Sequence, residues 1–506
     1  MSVLSSPPDL SGLPWYRQLN RYHWFVFAIA TLAWMFDCLD QRLFSLARIP
    51  ALASLMGKAP SDTEVQAFGK VVTAWFLIGW GVGGMIFGAL GDRFGRARML
   101  TTTVLIYSGF TGLTYFSQSK LDFTIYRFLT GLGVGGVFGL AVALVAETVP
   151  SGARVAALGL LQTLSAVGNI SAGFIKLGID HLEAGGTITP GQGWRWVFLV
   201  GVIPAFLVIF TGKYLKEPAA WQKLKDSGAL SKGGIFSSYG RLFASQKWRR
   251  NMVVGAVIAS TGVIGLWAIG EYAVDLQRAV FSTHYNAELG TPAADKAKAG
   301  AQALVMRLEA EAGTPAAALT EAKADLEAKT KARAAIGDKA KKKVNDTIFW
   351  AFQLNMVGAT CGMLLFTRVT QIVGRRLTFG LGFSAALVIT ALLYWKMKTP
   401  TDAYWMMFIM GAAQLGTFAG FAIYLPELFP SSLRSTGTSF CYNLGRFAAA
   451  GGSFFSAVLT TKVYDGFEAP LPLRYSAITM CVIFIFGILI LPFAPETKGK
   501  PLPSEE

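Results

Sequence analysis

The chain has 506 residues, of which 53% are hydrophobic and only 15% are charged. That balance excludes an ordinary soluble protein and indicates a membrane protein, so the length by itself predicts no number of domains. The formal net charge of +16 does not indicate nucleic-acid binding, because the basic residues collect in polar segments between apolar runs, where the positive-inside rule expects them.

Apolar runs recur along the chain, and each is long enough to cross about 30 Å of hydrocarbon. They predict twelve transmembrane helices, at 23–46, 69–89, 99–117, 123–146, 155–178, 194–214, 252–281, 347–366, 377–395, 403–425, 437–460 and 475–494. We therefore expect an all-α protein of a bacterial inner membrane, with both termini in the cytoplasm. The polar first 22 residues and the long first run argue against a cleavable signal peptide.

The first apolar run carries two acidic residues, Asp37 and Asp40, near its middle. Each costs roughly 2.5–3.5 kcal/mol at the centre of a membrane helix on insertion scales. Because they are three positions apart, they share one helix face, and two adjacent carboxylates in a low dielectric do not both ionise easily. The pair therefore predicts a proton carrier; the alternative is that one Asp only pairs structurally with an arginine.

Two glycine-rich stretches, GWGVGG (79–84) and GLGVGG (131–136), match the dinucleotide-binding pattern G-x-G-x-x-G. That pattern binds a nucleotide only at a turn between a strand and a helix, whereas both stretches lie within apolar runs. Small residues in membrane helices let neighbouring backbones approach closely. We interpret both stretches as helix-packing sites.

The two halves of the chain repeat. GALGDRFGRARML (88–100) corresponds to TRVTQIVGRRLTF (367–379), and AETVPSGAR (146–154) corresponds to PELFPSSLR (426–434). Such a duplication predicts two pseudo-symmetric six-helix bundles with a substrate site between them. We expect charged residues near these loops to form gate networks at the cytoplasmic side: Asp92, Arg93, Arg96, Glu147, Arg154, Glu427 and Arg434.

Polar segments divide the chain around these bundles. We expect a cytoplasmic N-terminal segment at 1–22, a first bundle at 23–214, a cytoplasmic linker at 215–251, a second bundle at 252–494 and a cytoplasmic tail at 495–506. An insert at 284–345 is rich in the strong helix formers Ala, Lys and Glu, and Gly313-Thr314-Pro315 interrupts it. It predicts an exposed helical hairpin on the outer face, either a solvated spacer or a lid or docking element.

Further ionisable residues lie within apolar runs: Arg127 in the first half, and Glu271, Asp275 and Arg446 in the second. A buried guanidinium needs a carboxylate partner, and its planar fork matches carboxylate geometry. We expect Arg446 either to bind an anionic substrate, helped by Arg127, or to pair internally with Asp37 or Glu271. Glu271 is also a candidate for a second proton-coupling group.

Other polar and aromatic residues within the runs are explained either by helix packing or by substrate contact. Those that we assign to the binding site are Asn443, Gln353, Trp34 and Trp267. The four cysteines lie in apolar runs and the three histidines are scattered, so the pattern predicts no disulfide framework, no metal and no cofactor. The absence of a nucleophile–base arrangement argues against an enzyme.

Several motifs resemble those of the major facilitator superfamily. GALGDRFGR (88–96) fits its G-x-L-x-D-R-x-G-R loop, and RFLTGLGVGG (127–136) is similar to its fourth-helix element. KEPAAW (216–221), PELFPSSLR (426–434) and PETKGKPL (495–502) resemble its sugar-porter branch and organic-ion relatives. The resemblance covers the chain except for the insert, and it implies a fold of twelve transmembrane helices in two bundles.

Asp37-Cys38-Leu39-Asp40 with Arg127 and Arg446 resembles the aromatic-acid/proton symporter branch and its sialate- and lactate-type relatives, which carry Gly where Cys38 stands. This resemblance implies a monomeric secondary transporter, embedded in lipid, that carries a small carboxylate together with protons. A proton-coupled sugar or polyol symporter is the alternative, in which the arginines serve as internal counter-ions. A third hypothesis is a nutrient sensor acting through the insert.

Overall fold

The computed structural model describes residues 13–60, 62–228, 234, 236–270, 272–311, 315–468 and 470–505. Regular structure within these ranges is helical, without a strand, which confirms the all-α prediction. The first half contains α1 (Arg21–Met56), α2 (Thr63–Phe94), α3 (Arg96–Thr114), α4 (Lys120–Thr148), α5 (Ser151–Ala184), α6 (Gly193–Val200) and α7 (Leu207–Tyr214). Two short helices follow, α8 (Ala219–Asp226) and α9 (Ser237–Ala244).

The second half begins with helices that surround the insert, and continues with the remaining membrane helices. They are α10 (Gln246–Ile264), α11 (Tyr272–Glu288), α12 (Thr291–Ala310), α13 (Ala316–Val373), α14 (Arg375–Lys396), α15 (Pro400–Glu427), α16 (Arg434–Val458), α17 (Leu471–Met480) and α18 (Ile483–Leu489). Capping boxes begin α4, at Ser119 with Asp122, and α15, at Thr399 with Asp402. These starts lie 280 positions apart, as the duplication requires.

Ten helical segments among the described residues are long and apolar enough to cross a membrane. The other two predicted spans correspond to α3 and α16, which are 19 and 25 residues long and more polar. Some predicted spans are interrupted. The sixth contains a 3-10 turn at Ile203–Phe206, because Pro204 lacks an N–H donor for a continuous helix, and the seventh contains a π turn at Gly265–Gly270.

The two glycine-rich stretches hold α2 and α4 together. A Cβ atom at Gly83 would lie 2.0 Å from the carbonyl oxygen of Leu132, and one at Gly135 would lie 2.1 Å from that of Trp80. Only glycine permits this approach of the two backbones. The structure therefore explains the G-x-G-x-x-G pattern by helix packing.

The insert is a helical hairpin formed by α12 and the first part of α13, and the intervening residues 312–314 lie outside the described ranges. Ion pairs join its arms, Arg333 to Asp295 and Lys323 to Glu309 at 2.8 Å. Helix α13 is continuous over 58 residues. The second arm of the hairpin is therefore the direct extension of a membrane helix.

Both ends of the described chain lie on one face of the molecule, which we call the terminal face. Gln18 lies against Gly152 at the start of α5, and the backbone N–H of Ser432 donates to Glu505 at 2.9 Å. The short helices α8 and α9 also cover this face. Trp221 of α8 donates to the carbonyl oxygen of Asp92 at 2.8 Å, and Arg241 of α9 donates to that of Ser432 at 3.3 Å. The loops predicted to form gate networks meet at the terminal face.

Candidate functional site: a cavity between the two bundles

A cavity of about 110 Å³ that is partly open to solvent lies between the two halves. Its wall combines aromatic, amide and basic side chains of both bundles. The polar and aromatic lining residues are Trp34, Gln41, Arg42, Ser45, Trp80, Gln162, Ser165, Asn169, Trp267, Phe352, Phe418, Tyr442 and Arg446.

Helix α1 presents one face to this cavity and the opposite face to its own bundle. Trp34, Cys38, Gln41 and Arg42 line the cavity at the spacing of one helix face. Asp37 and Asp40 do not belong to that lining, and both are fully buried. The two carboxylates therefore lie behind the cavity wall.

Asp40 pairs with Arg127 inside the first bundle. Arg127 Nη2 lies 3.4 Å from Asp40 Oδ2, and the hydroxyl of Thr111 donates to Asp40 Oδ1 at 2.8 Å. Phe44 and Phe198 surround the guanidinium, whose carbon lies 5.2 and 5.0 Å from their ring centroids. Arg127, which the sequence assigns to substrate binding, lies in this buried pair and outside the cavity lining.

Asp37 has a different environment. Gln41 donates to its Oδ2 at 2.9 Å, and its Oδ1 has no hydrogen-bond partner among the described residues. Its neighbour Cys38 lines the cavity. Asp37 is thus a buried carboxylate one residue behind the cavity wall, linked to the cavity through the amide of Gln41.

Arg446 reaches the cavity from α16. Its Nη1 donates to the carbonyl oxygen of Tyr442 and to Asn443 Oδ1, both at 3.1 Å. Its guanidinium carbon stacks 3.6 Å from the centroid of the Trp80 ring, which belongs to the other half. No carboxylate of the described chain lies within ion-pair distance of Arg446. Asn443, which the sequence assigns to the binding site, therefore orients Arg446 and lies outside the cavity lining.

The remaining predicted site residues divide between the cavity and its surroundings. Trp34 and Trp267 line the cavity, and Trp34 donates to Gln162 at 3.0 Å. Gln353 instead packs against Gly173 of α5, at the boundary between the bundles. Glu271 lies outside the described residues.

Gln41 and Arg42 are among the cavity residues on α1 that sequence reasoning missed. Both directly follow the acidic pair in DCLDQR. Arg42 lies over the ring of Phe352, 3.6 Å from its centroid. Helical spacing from Trp34 and Cys38 was the signal that places Arg42 on the same face.

At the terminal face, Asp92 of α2 caps the N-terminus of α16 from the opposite bundle. It accepts the backbone N–H groups of Ser435 and Thr436 at 3.1 and 2.8 Å and the hydroxyl of Thr436 at 2.6 Å. Arg96 pairs with Asp92 at 3.0 Å. These bonds join the two bundles at the terminal face.

Glu147 forms the second connection between the bundles. Its Oε1 accepts Arg434 at 2.6 Å and Ser431 at 2.7 Å, both from the other half, and Arg96 of its own half at 3.2 Å. The rings of Phe138 in α4 and Tyr442 in α16 also stack across the two halves, at a centroid distance of 3.8 Å. The terminal face is therefore closed by packing and by buried charge.

The second bundle carries the duplicated version of this network. Arg375 pairs with Glu427 at 2.8 Å, as Arg96 pairs with Glu147, although sequence reasoning did not select Arg375. Arg93 stacks on Phe94 at 5.3 Å, and Arg154 Nε has no hydrogen-bond partner among the described residues. Most of the predicted gate residues therefore belong to the buried networks, and Arg93 and Arg154 lie beside them.

This architecture defines a class of protein: a two-bundle membrane transporter with a central cavity closed at one face. The chain has the major facilitator fold. A solved structure of the proton:xylose symporter XylE is similar over 95% of this chain and 98% of that one, with a TM-score of 0.62 and 16% sequence identity.

The sequence pattern of the family "Sugar (and other) transporter" matches residues 51–237 and 351–505, more than half of the chain. The chain belongs to this family of the major facilitator superfamily and is an integral, multi-pass membrane transporter.

Two bacterial relatives align over most of the chain. A "Probable 4-methylmuconolactone transporter" of Cupriavidus pinatubonensis is 26% identical over 490 residues, covering 96% of this chain and 93% of its own. A "Cis,cis-muconate transport protein" of Acinetobacter baylyi is 26% identical over 441 residues, covering 86% and 87%. The relatives are thus transporters of small organic acids and related lactones.

Proposed function

We propose that this protein is a proton-coupled symporter that carries a small organic carboxylate across a bacterial inner membrane by alternating access. The observation that carries the proposal is the charge of the cavity. Arg446 lines it, and no carboxylate of the described chain lies within ion-pair distance of this guanidinium. A cationic, aromatic cavity attracts a flat organic anion, and the named relatives point to the same class of substrate.

Arg446 is the proposed primary anion site. Stacking on Trp80 fixes the plane of its guanidinium, and the bond to Asn443 fixes its rotation. A held guanidinium loses little freedom when it binds a carboxylate, so more of the interaction energy remains as affinity.

Asp37 is the proposed proton carrier. A carboxylate in an apolar interior is costly unless it is paired or protonated, and no cation of the described chain lies within ion-pair distance of Asp37. Asp40 differs because Arg127 already neutralises it. A proton on Asp37 removes its buried charge and an anion on Arg446 compensates that guanidinium, and we propose that both changes together allow the bundles to rock. Glu271 stays a proposed second proton-coupling group.

The bonds of Asp92 and Glu147 across the bundles are proposed to break when the cavity opens toward the cytoplasm. On this assignment the terminal face is cytoplasmic and the insert lies on the outer side. The basic character of the segments at the terminal face supports that orientation.

The test is uptake into proteoliposomes with an imposed inward proton gradient. We expect accumulation of benzoate or cis,cis-muconate, alkalinisation of the outer medium during uptake, and loss of both in Arg446→Gln. Arg446→Lys keeps the charge without the planar fork, and we expect it to recover part of the binding. Arg278→Gln, an exposed change of the same charge on α11, is the control and should transport normally. Anion uptake that moves no protons would contradict the coupling.

A sugar or polyol is the second candidate, because the amides of Gln41, Gln162 and Asn169 also line the cavity and amides bind hydroxyls well. The family and the fold both include sugar transporters. A competition experiment distinguishes a carboxylate substrate from a sugar or polyol substrate. If a neutral sugar displaces bound carboxylate as well as a second carboxylate does, the anion proposal fails.

A further inference from the structure

Gln41 connects the buried carboxylate of Asp37 to the cavity. Its Nε2 donates to Asp37 Oδ2 at 2.9 Å, one helical turn away on α1, and its side chain is part of the cavity lining. Among the described residues, the amide of Gln41 makes no other hydrogen bond. One end of the amide is therefore held by Asp37, and the other end, Oε1, is left for the cavity.

This hydrogen bond fits the ionised form of Asp37. An amide N–H donates to an ionised carboxylate, which only accepts, whereas a protonated carboxyl also carries an O–H donor that needs an acceptor. The second oxygen of Asp37, Oδ1, has no hydrogen-bond partner among the described residues. A buried donor without an acceptor is costly, so the better place for a proton is Oδ2, where Gln41 is close enough to accept it.

Protonation of Asp37 at this oxygen requires the amide of Gln41 to turn over. The proton added to Oδ2 breaks the N–H···O bond, and a half-turn of the amide about the Cγ–Cδ bond of Gln41 replaces it with an O–H···O bond to Oε1. The same half-turn moves the N–H2 group to the cavity side. The backbone stays in place, because the nitrogen and oxygen of a primary amide occupy nearly the same space.

Other titratable or charged groups lie around the acidic pair of α1. They are Cys38 and Asp40 of α1, Tyr107 of α3, Arg127 of α4 and Arg446 of α16. Asp40 already pairs with Arg127 at 3.4 Å. Helices α5 and α6 also pack on α1, and at this level they contribute the uncharged residues Ser165, Gly168 and Gly201. Asp37 is therefore the group whose protonation the amide of Gln41 follows.

We propose that Gln41 couples proton binding to substrate binding: it presents Oε1 to the cavity while Asp37 is ionised, and its N–H2 group once Asp37 is protonated. The inference rests on the proposed function, because it explains how the proton and the carboxylate of that same site act on each other. An amide oxygen repels a carboxylate, whereas an amide N–H donates to one. Proton and anion thus favour each other's binding without touching, and linkage makes this effect reciprocal.

The test compares benzoate affinity among matched variants at pH 6 and pH 9, by isothermal titration calorimetry on the purified full-length protein. Benzoate is ionised at both pH values. Gln41→Met keeps the length of the side chain and removes both polar atoms of the amide. Asp37→Asn copies the protonated carboxyl, because its N–H2 group donates to Gln41 Oε1. The control is Gln162→Met, which removes a second cavity amide that bonds to Trp34 and Ser165 instead of Asp37.

The expected effect of Gln41→Met depends on the protonation of Asp37. At pH 6 the variant should weaken benzoate binding about tenfold, as the loss of a hydrogen bond to a charged group does. At pH 9 it should not weaken binding, because the atom that it removes from the cavity side is the acceptor Oε1. In the Asp37→Asn background, Gln41→Met should weaken binding about tenfold at both pH values. Gln162→Met should change the affinity by the same factor at both.

Two results would overturn the coupling role of Gln41 while the anion-transport proposal stands. Equal weakening by Gln41→Met at pH 6 and pH 9 would make Gln41 a fixed ligand or a packing residue. Unchanged affinity at both pH values would show that Gln41 does not meet the substrate. Thermal unfolding of each variant in detergent shows that it is folded, and Gln41→Leu supplies the same comparison should Gln41→Met be unstable.

A different result would overturn the proposed function itself. It is binding of a neutral sugar by the wild-type protein, with no binding of benzoate or cis,cis-muconate at either pH.

Discussion

Thr436 donates both its backbone N–H and its hydroxyl to the carboxylate of Asp92, at 2.8 and 2.6 Å, across the boundary between the two bundles. Helix α16 has no side-chain cap of its own, so a residue of the opposite half completes its N-terminus, where a negative charge is favourable. The duplicated loop has Gln371 where Asp92 stands. The bonds from Asp92 to the N-terminus of α16, which we call the Asp92 latch, therefore have no charged counterpart in the duplicated loop.

Asp92→Asn should shift the protein toward the state that is open at the terminal face. The variant loses the charge that strengthens three bonds, and a hydrogen bond to a charged group contributes about 1.5–3 kcal/mol, enough to change the ratio of states more than tenfold. Double electron–electron resonance between spin labels at Arg98 and Leu377, equivalent exposed positions on α3 and α14, measures the shift. Arg93→Gln is the control. If Asp92→Asn and the control gave the same distance distribution, Asp92 would not hold the terminal face closed.

Asp40→Asn should destabilise the protein strongly, because it leaves the buried guanidinium of Arg127 without its counter-charge. Breaking a buried ion pair on one side costs about 3–5 kcal/mol. The double variant Asp40→Asn with Arg127→Gln should recover most of that loss. Thermal unfolding in detergent at matched pH gives the comparison, and a double variant no more stable than the single one would show that the charge pair is not the cause.

Asp37→Asn should abolish uphill accumulation while leaving counterflow exchange of substrate. The amide copies the shape of a protonated carboxyl and carries no proton in the transport cycle, so the loaded protein still rocks between its states. Accumulation and counterflow are measured in the same proteoliposomes. A variant that still concentrates substrate against its gradient contradicts the proton role of Asp37.

Glu496 should make the terminal face sensitive to acid. Burial raises the pKa of this carboxyl, but the backbone N–H groups of Arg375, Lys498 and Arg376 outweigh that effect and hold the pKa below its ordinary value of 4.5. A lowered folded-state pKa gives stability that is complete above the unfolded value and is lost as the pH falls through the folded one.

Glu496→Gln should therefore lower stability near neutral pH by about 1 kcal/mol, as loss of a helix cap does, and should flatten the acid side of the stability profile. Unfolding temperatures between pH 3 and 7 measure both effects. Glu217→Gln is the matched comparison, since Glu217 accepts the backbone N–H groups of Ala97 and Arg98 at 3.1 and 3.0 Å. If the unfolding temperatures of wild type and Glu496→Gln fell in parallel as the pH was lowered, the acid sensitivity would not come from Glu496.

Deleting 290–340 should leave uptake in place. The hairpin makes most of its ion pairs within itself, and the cavity residues of α13 begin at Phe352. Initial rates of substrate uptake by wild type and the deletion variant are the measurement. A deletion variant that takes up substrate normally, but in cells no longer triggers the response to that nutrient, would favour the hypothesis of a nutrient sensor acting through the insert.

The repeat motifs allowed much of the fold and the terminal network to be predicted. Arg96, Glu147 and Arg434 meet because duplicated loops at the ends of equivalent helices return to one face, which the constant spacing of the motifs already required. Arg375 was also within reach of that argument, since it occupies the place of Arg96 in the second half.

The interrupted helices and the orientation of α1 were harder to predict. A π turn at Gly265–Gly270 leaves no distinct hydropathy signal, because its residues are as apolar as those of a regular helix. Arg127 looked like a substrate ligand because a lone arginine in an apolar run does not reveal which neighbour it meets. Its partner, Asp40, lies 87 positions away in the chain.

By itself the sequence determined the membrane class, the helical architecture and the duplication, because these follow from composition and from spacing along the chain. It also determined that Asp37 and Asp40 share a helix face. Only the tertiary structure decided that this face turns into the bundle and that the face of Arg42 turns to the cavity. Helical periodicity relates side chains to one another around an axis, but the packing of neighbouring helices decides which of them meets the substrate.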